Sequence, residues 1–341
     1  MELKNICDVP LRPIERQLLN AFQRDLPLVP RPYQAMADAS GCSESEVLEA
    51  LNRLHETGVL SRVGFIVRPN TAGASTLAAM AIPENELEAV AARVSARPEV
   101  NHNYEREHRL NLWFVVAAEN AKTRQTTLRE IERETGYAVL DLPLEAAYHI
   151  DLGFPLASDE ELFQDRCKTP ETKAKLTIRV TDQDRHVLSA VQDGLSLAPR
   201  PFAEPAARLG VTESELLSEL RWLVACGVIK RCGLIVRHHE LGYRSNAMVV
   251  WNVPDHSADQ VGARLAALPF VTLCYRRPRR LPDWPFNLFC MIHGRDRNTV
   301  LEQVGAIRAL PGLADIQHAV LFSRRRFKQR GATLCRTREA A

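Results

Sequence analysis

The chain has 341 residues, 45% of them hydrophobic and 25% charged, with a formal net charge of +2. That length supports two to four compact domains with sizeable cores, while the near-neutral charge supplies no global field for nucleic acid or an acidic membrane. No apolar run reaches bilayer length, MELKNICDVP has no apolar signal core, and the eight cysteines form no CxxC pair. The expectation is a cytoplasmic protein with reduced thiols and no cysteine metal cage.

In chain order, Pro13 opens a first helix with Ile14, Leu18, Leu19 and Phe22 on one face. Pro32 starts a second, which Gly41 ends. Ser43 caps a third with Glu46 at the capping-box position, and Gly58 stops it. Two short helices across a Gly-containing turn predict a helix-turn-helix, followed by a strand or wing, VLSRVGFIVRP. Next come a strand over 75–82, a helix over 84–97, a hairpin of 100–105 and 110–118, a helix over 121–135 and a final strand over 138–150. The order β-α-β-β-α-β is that of a ferredoxin-like sandwich.

The chain then repeats itself. Residues 15–68 align without a gap on 184–237: Pro30-Arg31-Pro32 matches Pro199-Arg200-Pro201, and Gly64 matches Gly233. The later parts correspond with indels: Tyr104 pairs with Tyr275 and Asn111-Leu112 with Asn287-Leu288, with an insertion around Pro278 to Pro285 in the second copy. The predicted strands and helices of that copy span 246–253, 257–268, 271–277, 286–293, 296–310 and 315–323. The fold class is therefore α+β: two repeats, each a winged helix-turn-helix domain (1–70 and 179–238) plus a ferredoxin-like domain (71–154 and 239–330). A linker covers 155–178 and a tail 331–341. Two related copies on one chain predict an intrachain pseudo-dimer, with a further homodimer left open.

A helix-turn-helix joined to a ferredoxin-like module resembles the AsnC/Lrp transcription regulators. Charge argues against DNA here. The first turns of the presumptive recognition helices carry Glu44, Glu46 and Glu49, then Glu213, Glu215 and Glu219, where a DNA reader needs cations. These domains are expected to serve as scaffold, with no DNA and no membrane as partner.

Chemistry concentrates in the two hairpins. NHNYEREHRLN carries His102, Tyr104, Arg106, His108 and Arg109, and two histidines on opposite arms of a tight hairpin could converge. The matching stretch carries Tyr275, Arg276, Arg277, Arg279 and Arg280, then Trp284 and Phe286: arginines for carboxylates beside a flat aromatic surface. A solvated polar turn is the competing reading of the first stretch.

NHNYEREHRLNLWFV and CYRRP…DWPFNLFCMIHGR, with YHIDLGF and FSRRRFK at the ends of the copies, resemble the signature segments of siroheme decarboxylases, AsnC-like proteins that act as paired subunits or a fused chain. The resemblance covers nearly everything outside the linker and tail. It implies removal of the C12 and C18 acetate carboxyls of siroheme, giving 12,18-didecarboxysiroheme and CO2 in haem d1 biosynthesis, with further pathway proteins as possible partners. The iron tetrapyrrole is then substrate, and neither a separate cofactor nor a protein-held metal is expected. Losing CO2 leaves a carbanion that the macrocycle delocalises, so the protein must orient the acetate and return a proton. His102 and His108, helped by Tyr104, are the expected acids, although either histidine could instead ligate the iron or bind carboxylate. Arg106, Arg109, Tyr275, Arg276, Arg277, Arg279, Arg280 and Trp284 are the expected substrate contacts. Leu273 stands where the first copy has His102, so a required histidine would leave only one competent half. A ligand-responsive regulator and a non-catalytic tetrapyrrole carrier remain as alternatives.

Overall fold

The computed structural model describes residues 10–150, 180–237, 240 and 242–331. The linker and all but the first residue of the tail lie outside them.

Each copy opens with three helices: α1 (Pro13–Phe22), α2 (Pro32–Ser40) and α3 (Glu44–Glu56), then α6 (Asp182–Val191), α7 (Ala203–Leu209) and α8 (Glu213–Ala225). The sequence punctuation acts as expected. Ser43 with Glu46 and Thr212 with Glu215 form capping boxes, and Gly41 and Gly210 end α2 and α7 with φ of 70° and 69°. The wings β1 (Leu60–Val67) and β7 (Ile229–Val236) pair antiparallel with each other, and Gly64 lies opposite its own repeat mate Gly233. The pseudo-two-fold axis therefore passes through that glycine pair. Leu18, Leu51 and Leu54 share one core with Leu188, Leu220 and Leu223, so the two helix-turn-helix domains fold as one body.

The second half contains β2 (Ala74–Met80), α4 (Leu87–Ala96), β3 (Val100–Arg106), β4 (Leu112–Ala118), α5 (Ala121–Thr135), β5 (Leu140–Pro143) and β6 (Ala146–Ile150). The second copy supplies β8 (Ser245–Trp251), α9 (Ala258–Ala266), β9 (Val271–Arg276), β10 (Leu288–Gly294), α10 (Arg297–Arg308) and β11 (His318–Gln329). The strands form one sheet in the order β5-β2-β4-β3-β11-β8-β10-β9-β6.

That order departs from two separate sandwiches. The final strand of each copy begins beside its own first strand and ends beside the other copy's hairpin. Leu142 lies opposite Leu77, whereas Ala147 lies opposite Tyr275. Likewise Leu321 lies opposite Met248, whereas Arg326 lies opposite Tyr104. The expected single strand over 138–150 is thus two strands, and the strand expected to end at 323 runs on to Gln329. The extension is polar because its outer residues meet water and carboxylates: Arg325 pairs with Glu105 at 2.5 Å and with Glu88 at 2.7 Å.

Alternation along the strands separates three layers. Ala78, Met80, Phe114 and Val116 face α4 and α5, and Ala247, Val249 and Trp251 face α9 and α10. Between the two halves of the sheet, Leu77, Trp113 and Leu142 meet Met248, Tyr275 and Phe289. With both faces covered, β2 and β10 read as near-continuous apolar runs.

A Cβ placed on Gly233 would lie 2.3 Å from the Gln23 carbonyl oxygen, whereas one on Gly64 meets nothing closer than 3.2 Å. Gly233→Ala is therefore expected to cost about 1–3 kcal/mol by overpacking, and Gly64→Ala less. Urea denaturation midpoints of the two variants check this ordering.

Candidate active site

The two hairpins are anchored by the same device. Asn111 donates to the Ile82 carbonyl at 2.8 Å and accepts from its amide at 2.9 Å, and Asn287 repeats both bonds with Val253 at 2.9 and 3.0 Å. The carbonyls of these asparagines receive the amides of Arg106 (2.8 Å) and Arg277 (2.9 Å). The recurrence of an Asn-Leu pair in both repeats, Asn111-Leu112 and Asn287-Leu288, is the signal for this clamp.

From that anchor, period-2 alternation sends His102, Tyr104 and Arg106 to the inner side of β3, towards the space between the two halves of the sheet. Arg106 donates to the Leu321 carbonyl at 3.1 Å and approaches the Met291 sulfur at 3.9 Å. Its Nε is buried without a partner, and no described carboxylate pairs with it. Arg277 occupies the equivalent place on the other half, donating to the Leu142 carbonyl, with its guanidinium 4.6 Å from the Tyr275 ring. Arg106 lies 5.8 Å from the Tyr104 ring. A buried cation without an anion is costly, so Arg106, with the half-buried Arg277 facing the same interior, favours an anionic ligand there.

His102 and Tyr104 stack with ring centroids 6.2 Å apart. The Nδ1 of His102 is buried and unpartnered. Burial, assisted by the Arg62 charge, lowers its pKa from 6.5 to about 4. Burial raises that of Tyr104, which stays a phenol. In the unliganded protein His102 is therefore a neutral imidazole at neutral pH.

The two histidines do not converge. His108 lies in the turn beyond the end of β3 rather than on the opposite arm, and four residues of strand between His102 and Arg106, about 13 Å, come before that turn. The His108 Nδ1 accepts the Leu110 amide at 3.0 Å, and its ring meets Trp284 edge-on at 5.6 Å. Burial and then Arg109 lower its pKa. A cavity of about 290 Å³ borders His108, Arg106, Asn111, Arg324 and three carboxylates, Glu84, Glu105 and Glu107. A second, of about 220 Å³, lies at the other end of β3, where Gln329 faces His102 across the ladder. Both fall below the usual small-molecule range of about 300–1,000 Å³, so each admits an arm of a tetrapyrrole and not the entire ring.

The remaining arginines of the second hairpin are held by protein acceptors. Arg279 pairs with Asp255 at 2.6 Å and donates to the Asn252 side chain and the Pro285 and Val253 carbonyls. Arg276 pairs with Glu145 at 3.2 Å and Asp255 at 3.3 Å, and Arg280 donates to the Asp141 carbonyl at 2.9 Å. Arg109 is exposed and sits 3.6 Å from Asp283. Trp284 is fully buried among Trp113, Phe286 and Phe289, at centroid distances of 5.2, 5.0 and 6.0 Å. The insertion that brings it thus plugs the interior between the sheet halves.

Arg326, one of several cations in the RRRFK run and not distinguished from them by sequence, lies across from Tyr104, where the other half has Ala147 across from Tyr275. Together with Leu273 in place of His102, this makes one half polar and cationic and the other largely apolar. His293 is a buried histidine bonded to Thr272 at 2.8 Å, and the half-buried His318 stacks on Trp251 at 4.8 Å.

Sequence profiles place this architecture. That of the AsnC-like ligand binding domain matches residues 72–149 and 240–328, and that of the siroheme decarboxylase NirDL-like HTH domain matches 15–60 and 184–230. The siroheme decarboxylase NirDL subunit of Paracoccus denitrificans is 45% identical over 324 residues, covering 94% of this chain and 97% of that protein. This chain belongs to the siroheme decarboxylase family. The siroheme decarboxylase of Hydrogenobacter thermophilus is 32% identical over 92% of both chains. The crystal structure of a siroheme decarboxylase NirDL in complex with an iron-uroporphyrin III analogue matches with a TM-score of 0.67, at 28% identity over 93% of both chains. A single-copy relative, the siroheme decarboxylase NirD subunit of Pseudomonas aeruginosa, is 54% identical over 42% of this chain, in keeping with the repeat.

The pKa of His102 carries a stability signature. Above pH 6.5 it is neutral in both folded and unfolded chains. Between 6.5 and about 4 the unfolded chain takes up a proton that the folded one refuses, so stability falls as pH falls. From pH 6.5 to 5 this residue should account for a loss of about 2 kcal/mol. His102→Leu, which copies Leu273, should remove that share of the acid slope in urea titrations at the two pH values.

Proposed function

We propose that this chain is a siroheme decarboxylase that removes the C12 and C18 acetate carboxyls of siroheme, yielding 12,18-didecarboxysiroheme and CO2 within haem d1 biosynthesis. The observation that carries this reading is a 45% identity spanning both copies of the repeat, hairpins included, to a siroheme decarboxylase NirDL subunit. Arg106 and Arg277 support it: Arg106 is buried and Arg277 half-buried, both donate to backbone carbonyls rather than forming a salt bridge among the described residues, and both face the interior between the hairpins.

The reaction converts an acetate arm to a methyl group. The bond between the methylene and the carboxylate breaks, CO2 leaves, and the electron pair stays on the methylene, delocalised into the macrocycle. One proton then completes the methyl. His102 is the proposed donor, with Tyr104 stacked beside it. A neutral imidazole cannot give up the acidic proton of an imidazolium, so His102 must first be charged. An acetate carboxylate brought alongside favours the charged form and opposes the desolvation that depresses it. Substrate arrival thereby raises the proton affinity of His102, which takes its proton from solvent and passes it to the methylene. Arg106, Arg277 and Arg326 offset the macrocycle's remaining carboxylates, while Arg109, Arg276, Arg279, Arg280, Tyr275 and Trp284 shape and brace the second hairpin. His108, at the far end of β3, is the alternative donor for an acetate entering the larger cavity. The complete ring needs more room than either cavity offers, so binding parts their walls. No DNA partner is proposed, because Glu44 and Glu213 at the starts of α3 and α8 are already paired with Arg31 and Arg200, leaving carboxylates where phosphates would lie.

Incubating the full chain with siroheme without oxygen and following product mass tests the reading: stepwise loss of two CO2 is expected. A bound-tetrapyrrole spectrum with no change in mass would instead assign a carrier. His102→Ala is expected to lower kcat at least about a hundredfold while retaining binding. Unchanged turnover in both His102→Ala and His108→Ala would remove both residues from the proton transfer.

A further inference from the structure

We propose that Arg62, on the wing strand of the first helix-turn-helix domain, is a positioning residue of the decarboxylation site that grips an acetate carboxylate of the tetrapyrrole and holds it against His102. This makes the helix-turn-helix body part of the substrate site rather than scaffold alone, and it rests on the function proposed above.

The geometry begins with a bulge. Between Leu60 and Arg62 the β1–β7 ladder skips a residue, and a bulge of this kind bends the strand and re-aims a side chain. Arg62 leaves the wing towards the end of β11, into the cavity of about 220 Å³ that it lines with Arg237, Arg330, Asp193, Gln329 and Gly331. Three guanidiniums and one carboxylate border that space, so it is a cationic cleft.

Two glycines make room for the arginine. A Cβ on Gly194 would lie 3.1 Å from the Arg62 side chain and 2.9 Å from the Val63 carbonyl, and one on Gly331 would lie 3.2 Å from the guanidinium. In the ungapped repeat the position of Gly194 is held by Asp25 in the first copy, so the space is built on one side only.

The other two arginines have protein acceptors: Arg237 donates to the Gly58 carbonyl at 3.0 Å, and Arg330 donates to the Pro98 carbonyl. The Arg62 Nε is buried and makes no hydrogen bond, and the carboxylate whose charge acts on Arg62 is Asp193 on the same cleft wall. Gln329, on the cleft wall, faces His102 across the ladder, and the next amide, of Arg330, bonds the Asn101 carbonyl at 2.9 Å. The cleft therefore opens at the histidine end of β3, and the Arg62 charge bears directly on His102. A carboxylate seated on Arg62 neutralises that charge, leaving His102 freer to take the proton it later delivers. Arg62 does not touch the reacting bond; it acts through the carboxylate it holds and through His102.

The test compares two probes on the full chain. Iron uroporphyrin III carries acetates and propionates; iron coproporphyrin III keeps the propionates and has methyl groups in place of the acetates. Arg62→Gln is expected to weaken binding of iron uroporphyrin III by about tenfold, and that of iron coproporphyrin III by less than about twofold. KM for siroheme should rise, and Arg62→Lys, which keeps the charge without the bidentate fork, should recover part of the loss. Arg231→Gln, at the repeat-equivalent position, should leave binding of both probes unchanged. Equal weakening of the two probes, or none, overturns the proposal. Should Arg62→Gln fail to fold, Arg62→Lys decides alone: a loss confined to iron uroporphyrin III supports the assignment, and a uniform loss or none refutes it. Wild-type protein that binds both probes yet releases no CO2 from siroheme would refute the function proposed above while leaving this comparison intact.

Discussion

Each copy of the repeat finishes the other's sheet. The last strand of the first copy leaves β2 and pairs with β9, and the last strand of the second leaves β8 and pairs with β3. Backbone hydrogen bonds therefore cross between copies on both sides of the interior, so neither sandwich can separate without exposing unpaired strand edges. The buried residues between the sheet halves come from both copies for the same reason. Tyr148, on the exchanged β6, packs so closely on α9 that a Cβ on Gly262 would lie 2.3 Å from its ring.

Exchange also explains how a symmetric frame holds an asymmetric site. The frame fixes backbone positions in pairs: Asn111 with Asn287, Arg106 with Arg277, Tyr104 with Tyr275. Side chains at those places can then diverge without disturbing the ladders. His102 has become Leu273 in the other half, and Arg326 has Ala147 as its counterpart across from the tyrosine. Trp284, carried by an insertion present in one copy only, fills interior volume that a symmetric pair would leave open. One half thus gains polar side chains while the other gains packing.

Much of this architecture was legible in the chain. The ungapped repeat, the capping boxes at Ser43 and Thr212 and the glycines ending α2 and α7 are local signals, and local hydrogen bonding decides them. The β-α-β-β-α-β order followed from periodicity for the same reason. Strand exchange was not legible, because a strand's partner depends on contacts far away in sequence; Pro143-Leu144-Glu145 marks the crossing only in hindsight. The histidines were found by residue type, but their separation was misjudged because the segment after Arg106 is a broad turn and not a mirrored arm. The four arginines around Pro278 suggested a clamp by composition. The carboxylate partners of Arg276 and Arg279, Asp255 and Glu145, belong to a different loop and a different copy, and no sequence pattern joins them.

The cations that matter for a ligand are those the protein leaves unpaired. Arg276 and Arg279 are partly exposed and paired with carboxylates, and such pairs contribute little net attraction for an incoming anion. Arg106 is buried, and Arg277 half-buried, against carbonyls, sulfur and tyrosine rings, where a positive charge is poorly solvated and meeting an anion is favourable. They belong to the hairpins of opposite copies, and a flat molecule bearing carboxylates around its rim offers an anion to each. What the interior can hold is thus set by which cations the protein leaves unpaired rather than by the number of arginines in the sequence.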